Sequence, residues 1–400
     1  MVVSGDPSDE IYLSDDSLSG VVKLVSSSQE SALVGTGTLL WNGRAVLTAA
    51  HVVSGHPSGI DISLNTVGGK KVLRSESWLV HPDYDAVNVN QDLALIWLNE
   101  SAPAEIERYE LYRETNEIGQ KFTLAGSGMI GSGDTGATEE NTATLILKAT
   151  NTFDLTGESL DQDNHVSLTW APRDVLFADF DSGLTRNDVF GRLINIKDLG
   201  TGQTEGFIAP GDSGGPAFIG NQLAGIASYV ATLSKPFVYP DYDMTENNST
   251  FGEVAAWQRI SSYQQWIDQS IRDHYFNAPK SIDEVKISIF EGSKATTLTY
   301  FMVTFSGFRE AGDIVSVDYT TRDGSAKAGE DYLAVSGQLN IYDDEDYALI
   351  PVEIIGDQVA EKNETFYLVI SNPVGGDFAN DSVELIAMRT ILNDDSAVVI

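Results

Sequence analysis

The 400-residue chain contains no cysteine, which excludes disulfides, thiol catalysis and thiolate metal sites without fixing a compartment. Positive charge is scarce as well: 24 Lys and Arg stand against 59 Asp and Glu, a formal net charge of -35. That balance argues against nucleic acid or an anionic membrane surface as a partner and leaves divalent cations open. No apolar run approaches the ~18–20 residues a membrane span needs, so a soluble chain is expected. Repeats of solenoid period and low-complexity segments are missing. Met1 to Asp16 is polar and acidic, with neither the basic nor the apolar region of a signal peptide. Most of the acidic excess reads as solvated surface, so clusters must be judged one by one.

What is present is a globular composition, 42% hydrophobic and 9% aromatic. At roughly 100–200 residues per domain, the length suggests two or three domains, each able to bury a core without covalent staples. From about Val21 to Tyr239, short runs rich in Val, Ile, Leu and Thr alternate with Gly, Asn, Asp and Ser clusters, as in Gly20-Val21-Val22-Lys23-Leu24 and Ala45-Val46-Leu47-Thr48. This pattern predicts an all-β fold. Val254, Trp257, Ile260, Tyr263, Ile267 and Ile271 recur at three- and four-residue steps and predict a helix over Val254 to Arg272. Residues 277–280, Asn-Ala-Pro-Lys, read as a linker between a first domain, 1–276, and a second β-rich block, 281–400. In that block Val315-Ser316-Val317-Asp318-Tyr319 alternates like a strand with one buried face.

Three segments carry chemistry. Gly211-Asp212-Ser213-Gly214-Gly215-Pro216 is a glycine-rich turn that lets the amides of Gly211 and Ser213 converge while the Ser213 hydroxyl faces outward. Leu47-Thr48-Ala49-Ala50-His51 sets a histidine directly after an apolar strand. The other histidines, His56, His81, His165 and His274, sit among polar, turn-forming or helix-end residues and read as structural or surface groups. Asp92 opens the apolar run Leu93-Ala94-Leu95-Ile96-Trp97-Leu98, where a carboxylate is partly buried and needs a partner. Nucleophile, base, orienting carboxylate and oxyanion donors are the parts that serine-dependent peptide hydrolysis requires.

In this order and spacing, the three segments resemble the chymotrypsin/trypsin family over about residues 2 to 275. His81-Pro82-Asp83-Tyr84-Asp85, Leu223 to Tyr229 and a closing helix with Tyr263 and Trp266-Ile267 add to the likeness. The resemblance implies a double six-stranded β-barrel with a C-terminal helix and a serine endopeptidase acting on proteins or peptides. It implies His51 as general base and acid, Asp92 as its orienting carboxylate, Ser213 as nucleophile, and the Gly211 and Ser213 amides as oxyanion donors. It further implies an ion pair between a mature N-terminus and Asp212. Val2-Val3-Ser4-Gly5 is similar to such a terminus, so removal of Met1 would free Val2. Substrate contacts fall to Phe207, six residues before the serine, and to the strand Ser228, Tyr229 and Val230. Phe207 and Val230 imply a narrow apolar pocket in place of one that selects Arg or Lys, with Glu205 as the acidic residue that could reverse this. The family's disulfide beside the histidine is replaced by Gly35 and Val52. Ala178 to Lys197 stays unassigned. Its Asp179, Asp181 and Asp188 could contribute to a cation site but read first as a solvated loop.

Asp318 to Ala326, Ala328-Gly329-Glu330-Asp331-Tyr332 and Asn393-Asp394-Asp395 resemble a Calx-beta domain. The resemblance implies a C-terminal β-sandwich that binds calcium through Glu291, Asp331, Asp357, Glu361, Glu364, Asp394 and Asp395, with a carbonyl from Val359. Gathered carboxylates repel one another without a cation. No cofactor is implied for catalysis. The pairing of domains implies a secreted or cell-surface bacterial protein. The alternative is a non-enzymatic, calcium-dependent adhesion or binding protein on a protease-like scaffold.

Overall fold

The computed structural model describes residues 1–28, 32–55, 57–141, 145–161, 174–275 and 277–395; His56 and His165 lie outside them. The chain is mainly β and divides into two compact units. One comprises Met1–Leu40, Arg44–Glu100 and Glu105–Gln264, the other Trp41–Gly43, Ser101–Ala104 and Gln265–Ile400.

The first unit begins with β1 (Val2–Val3), β2 (Val21–Ser27), β3 (Ala32–Leu39), β4 (Ala45–Thr48), β5 (Gly59–Thr66), β6 (Gly69–Val80) and β7 (Ala94–Leu98). Strands β2 to β7 close into a barrel in the order β2-β3-β4-β7-β6-β5. Alternation in β2 and β5 sends Val22, Leu24, Ile60, Ile62 and Leu64 inward, all fully buried. Strands β4 and β7 are buried along their whole length, as continuous apolar runs require.

The rest of the unit adds β8 (Lys121–Gly126), β9 (Ile130–Ser132), β10 (Gly136–Glu139), β11 (Leu147–Thr152), β12 (Leu155–Thr156), β13 (Val175–Asp179), β14 (Gly206–Phe207), β15 (Pro216–Ile219), β16 (Gln222–Ala231) and β17 (Val254–Arg259). These form a seven-stranded sheet, β11-β8-β15-β16-β17-β13-β12, and a four-stranded sheet, β10-β9-β1-β14. Among the described residues this half is an open half-barrel beside the closed one. Its core centres on Phe122 stacked on Phe153 at 4.0 Å, with Trp257 edge-on to Phe122 at 5.0 Å.

Among the described residues, four α-helices interrupt the strands: α1 (Ala50–Val53), α2 (Gly157–Asp161), α3 (Val189–Ile194) and α4 (Ile260–Asp273). The helix expected from Val254 therefore starts only at Ile260. Val254 to Arg259 is a strand bonded on one edge to β16 and on the other to β13. Val254 to Gln258 are all buried, so apolar residues fall on both faces and match a helical period by coincidence.

In the second unit, β18 (Ser288–Phe290), β20 (Val315–Asp323), β21 (Ser336–Ile341), β23 (Glu364–Val374) and β24 (Glu384–Leu392) form a five-stranded sheet, and β19 (Thr296–Thr304) pairs with β22 (Tyr347–Ile355). Phe301, Val317, Ile350, Phe366 and Leu368 fill the core between them. The carboxylates proposed for calcium come from the segments that follow β18, β22 and β24, from the loop before β21 and from the first residue of β23.

Candidate active site and carboxylate clusters

Strand β4 delivers His51 to the first turn of α1, and a tight turn with Val89 and Gln91 at φ +56° and +48° delivers Asp92 just ahead of β7. The β4–β7 ladder, in register at Thr48 and Ala94, sets the two side by side. The His51 amide donates to Asp92 Oδ1 at 2.9 Å, and ring Nδ1 meets Oδ2 at 2.7 Å. A carboxylate only accepts, so this contact assigns a proton to Nδ1, and in the neutral ring it is Nε2 that carries the lone pair. Asp92 is fully buried, whereas the His51 side chain keeps 30% of its exposure. The expectation of a buried, partnered carboxylate is met by this geometry.

Sequence reasoning missed the third donor to Asp92. Ser228, expected only as a backbone contact for substrate, is buried and donates its hydroxyl to Asp92 Oδ2 at 2.6 Å. Gln258 Nε2 backs Ser228 at 3.4 Å, and Tyr263 donates to Gln258 Oε1 at 3.4 Å. No local motif marks such a chain, because its members come from β16, β17 and α4.

Ser213 lies half-buried in the turn between β14 and β15. Its carbonyl accepts from the Thr36 amide at 2.8 Å, and Gly214, at φ +83°, lies so close to Thr48 and Ala49 that a side chain there has no room. The serine turn is thereby clamped against the segment leading into His51. Gly211 holds φ +94°, and among the described residues neither its amide nor that of Ser213 donates to a backbone acceptor. Val52 sits directly over Gly35: a Cβ on Gly35 would lie 2.7 Å from a Val52 methyl. Packing occupies the place where the resemblance puts a disulfide.

Asp212 is 1% exposed, and its carboxylate accepts from the Gly128 amide at 2.8 Å and the Ala209 amide at 2.9 Å. With Met1 present, its ammonium reaches Asp212 at 2.8 Å. Val2 then pairs in β1 opposite Phe207 and Gly131.

Phe207 is fully buried and stacks on Phe180 at 5.2 Å. On β16, the pairing with β15 ends at Ile226, so one edge of Ser228 to Val230 lies beyond that ladder. Tyr229 and Val230 are half-buried along it. Glu205 does not open toward a pocket. It is fully buried and accepts from the amide and, at 2.7 Å, the hydroxyl of Thr201.

Two carboxylate trios form at one end of the second unit. Glu291, Asp357 and Asp395 each bring one oxygen within 4.8 Å of the others, as do Asp331, Glu361 and Glu364. Asp394 joins neither trio; it accepts from the Gly292 amide at 3.2 Å. Burial, then the charges of Asp357, Glu361, Asp395 and Asp394, pushes Glu291 up to about 7. Glu361 and Glu364 are likewise raised, by burial first and then by Asp331. Glu361 feels both Asp331 and Asp357, so the trios adjoin. Val359 is exposed in the same loop.

A further trio was expected as a solvated loop and is not one. Asp179, Asp181 and Asp188 are 2%, 3% and 4% exposed and gather within 4.8 Å.

The trypsin family model matches residues 18–165 and the Calx-beta domain model residues 280–395. This chain carries a trypsin domain followed by a Calx-beta domain. The trypsin match contains His51 and Asp92, and Ser213 lies after it. Chymotrypsin of Phaedon cochleariae is 26% identical over 279 residues, covering 66% of this chain and 82% of that protein. The sodium/calcium exchanger Calx of Drosophila melanogaster is 39% identical over 89 residues, and human sodium/calcium exchanger 2 is 36% identical over 101. Each covers 22% of this chain, and the chain spans only 9% and 11% of their lengths. A solved HL collagenase matches over 66% of this chain and 98% of its own, at 18% identity and a TM-score of 0.47. The trypsin domain has a serine protease fold, and no helix among the described residues is long and apolar enough to cross a membrane.

Proposed function

We propose that the first unit is a serine endopeptidase that cleaves proteins through an acyl-enzyme, and that the second binds calcium. The observation that carries the first half is the doubly bonded His51–Asp92 pair, held beside the clamped Ser213 turn. With Nδ1–H committed to Asp92, His51 Nε2 takes the Ser213 proton as Oγ attacks the scissile carbonyl. The oxyanion then forms opposite the amides of Gly211 and Ser213, donors worth about 10²–10³ in rate each. His51 returns the proton to the leaving amine, and water, deprotonated by the same nitrogen, releases the acyl group. The Met1–Asp212 ion pair braces the oxyanion turn from behind. Substrate backbone is read by the β16 edge, and the apolar floor at Phe207 favours small or medium hydrophobic side chains.

The calcium reading rests on orphaned acceptors. Glu291 Oε1 and Asp395 Oδ2 are buried without a hydrogen-bond partner, in a donor set made only of hard oxygens. Such residues fit Ca²⁺, which takes six to eight oxygens. Glu291, Asp357 and Asp395 would hold one ion and Asp331, Glu361 and Glu364 another, with Asp394 supporting Gly292. Calcium there supplies charge neutralisation and rigidity. A protease joined to such a module is read as acting outside the cell, where calcium is plentiful.

A fluorophosphonate probe on purified full-length chain tests the first half. Labelling that vanishes in Ser213→Ala supports the endopeptidase. No labelling of folded protein overturns it in favour of a binding scaffold.

A further inference from the structure

Five acidic side chains, those of Asp154, Asp179, Asp181, Asp188 and Glu205, lie close enough for their charges to interact. Asp179 ends β13, Asp181 lies two residues on, Asp188 caps the N-terminus of α3, Glu205 immediately precedes β14, and Asp154 immediately precedes β12. None is more than 9% exposed, and among the described residues none forms an ion pair. A buried carboxylate without a cation is unfavourable unless its oxygens are satisfied.

Four of their ten oxygens accept from a described donor. Asp179 Oδ2 accepts from the amides of Val189 at 2.5 Å and Phe190 at 3.3 Å, and Asp188 Oδ1 accepts from Gly191 at 2.6 Å. Asp154 Oδ2 accepts from the Asp179 amide at 3.1 Å, and Glu205 Oε2 accepts from Thr201. Asp181 Oδ1 and Glu205 Oε1 are buried with no hydrogen-bond partner. Both side chains border Gly200, whose positive φ of +77° and lack of a Cβ leave room for them: a Cβ there would lie 2.7 Å from Asp181 Cβ and 2.8 Å from Glu205 Oε2.

We infer that Asp179, Asp181 and Asp188, with Glu205 alongside, hold a calcium ion inside the trypsin domain. Oxygens coordinated at about 2.4 Å on one ion can lie no more than about 4.8 Å apart, the spacing these three show. The set contains no nitrogen or sulfur, which selects a hard cation over zinc or copper. Burial first, then the charges of the neighbouring carboxylates, pushes Asp181 up to about 11, Glu205 to about 8 and Asp179 to about 7, a penalty that a divalent ion removes. The ion ties the end of β13, the start of α3 and the lead into β14 together. Phe180 lies between two of the ligands and Phe207 two residues after Glu205, so calcium at this position stiffens the floor beneath the substrate edge.

The test uses the full chain with the sandwich trios silenced by Glu291→Gln, Asp357→Asn, Asp331→Asn and Glu364→Gln, stripped with chelator and re-equilibrated with calcium. Bound metal per chain is counted by elemental analysis and the thermal midpoint is followed with and without calcium. The expected result is about one retained calcium per chain and a calcium-dependent rise in midpoint, both lost on adding Asp181→Asn. Should the silenced chain not fold, Asp181→Asn and Asp188→Asn in the otherwise native chain must each lower the count by about one. An unchanged count, or an Asp181→Asn chain that is more stable without calcium and binds as much of it, overturns the site in favour of carboxyls that merely share protons. Because the readout is bound metal, failure here is distinct from failure of the protease reading.

Discussion

Ser228 donates to the same oxygen of Asp92, at 2.6 Å, that His51 Nδ1 meets at 2.7 Å. Asp92 has no solvent to replace a lost donor, so Ser228 fixes where the carboxylate sits and hence which way the imidazole faces. A hydrogen bond to a buried charged group is worth about 1.5–3 kcal/mol. Ser228→Ala is expected to lower kcat by about 10-fold with KM unchanged, the split that a positioning role predicts and a substrate contact does not. A raised KM at constant kcat would return Ser228 to the substrate edge.

The ion pair of Met1 with Asp212 is almost entirely buried on both sides. Removing one partner of such a pair costs about 3–5 kcal/mol, because the other charge stays unpaired. Asp212→Asn is expected to keep its two backbone contacts poorly and the Met1 ammonium not at all, so fluorophosphonate labelling should fall by more than about 100-fold, the scale of losing an oxyanion donor. The β2–β7 barrel should stay folded, as hydrogen exchange in its strands can report. Full labelling in Asp212→Asn would show that the turn holds its shape unaided.

Gly35 and Val52 test the replacement of a covalent link by packing. Gly35→Ala puts a methyl 2.7 Å and 2.9 Å from the two Val52 methyls. Overpacking of this kind destabilises by about 1–3 kcal/mol. Val52→Ala in the same chain should recover most of that loss, and a double-mutant cycle by chemical denaturation measures the coupling. Additive effects would mean that the backbone at Gly35, not Val52, resists the methyl.

His81 offers a pH dependence of known sign. Burial holds it below its ordinary value of 6.5, opposed by Asp83, and its ring meets Tyr263 edge-on at 5.5 Å. A base depressed in the folded state binds fewer protons than in the unfolded chain, so its contribution is present above 6.5 and is lost as pH falls through the depressed value. His81→Phe keeps the ring contact and should flatten the fall of the thermal midpoint in that window. An identical slope in both proteins would assign the loss to other groups.

The all-β character was legible because it rests on short-range signals, apolar alternation between glycine-rich turns, whereas the barrel and the roles of His51, Asp92 and Ser213 were what the resemblance to the chymotrypsin/trypsin family implied. Where the reading failed, long-range packing decided. Val254 to Arg259 carries a helical spacing, yet bonding to β13 and β16 makes it a strand. Asp179, Asp181 and Asp188 look like solvated loop residues one by one, and only the fold buries them together. Ser228 looked like an edge residue because the Asp92 it serves is remote in sequence.

Calcium removal separates the charge of the sandwich trios from their shape. Glu291 is 5% exposed, one of its oxygens has no partner, and Asp357, Glu361, Asp395 and Asp394 all repel it. In the proposed calcium-bound state that repulsion is cancelled, so chelator should lower the thermal midpoint of the wild-type chain. Glu291→Gln keeps nearly the same shape but removes one charge. It should therefore bind calcium about 10–100-fold more weakly, as loss of a charged ligand does. In chelator the order reverses, with Glu291→Gln unfolding at a higher temperature than wild type because the like-charge contact is gone. Calorimetric titration and thermal unfolding in the two conditions decide the matter. A variant less stable than wild type in chelator would mean that Glu291 is held by contacts of its own, and that calcium is not what the trio is built around.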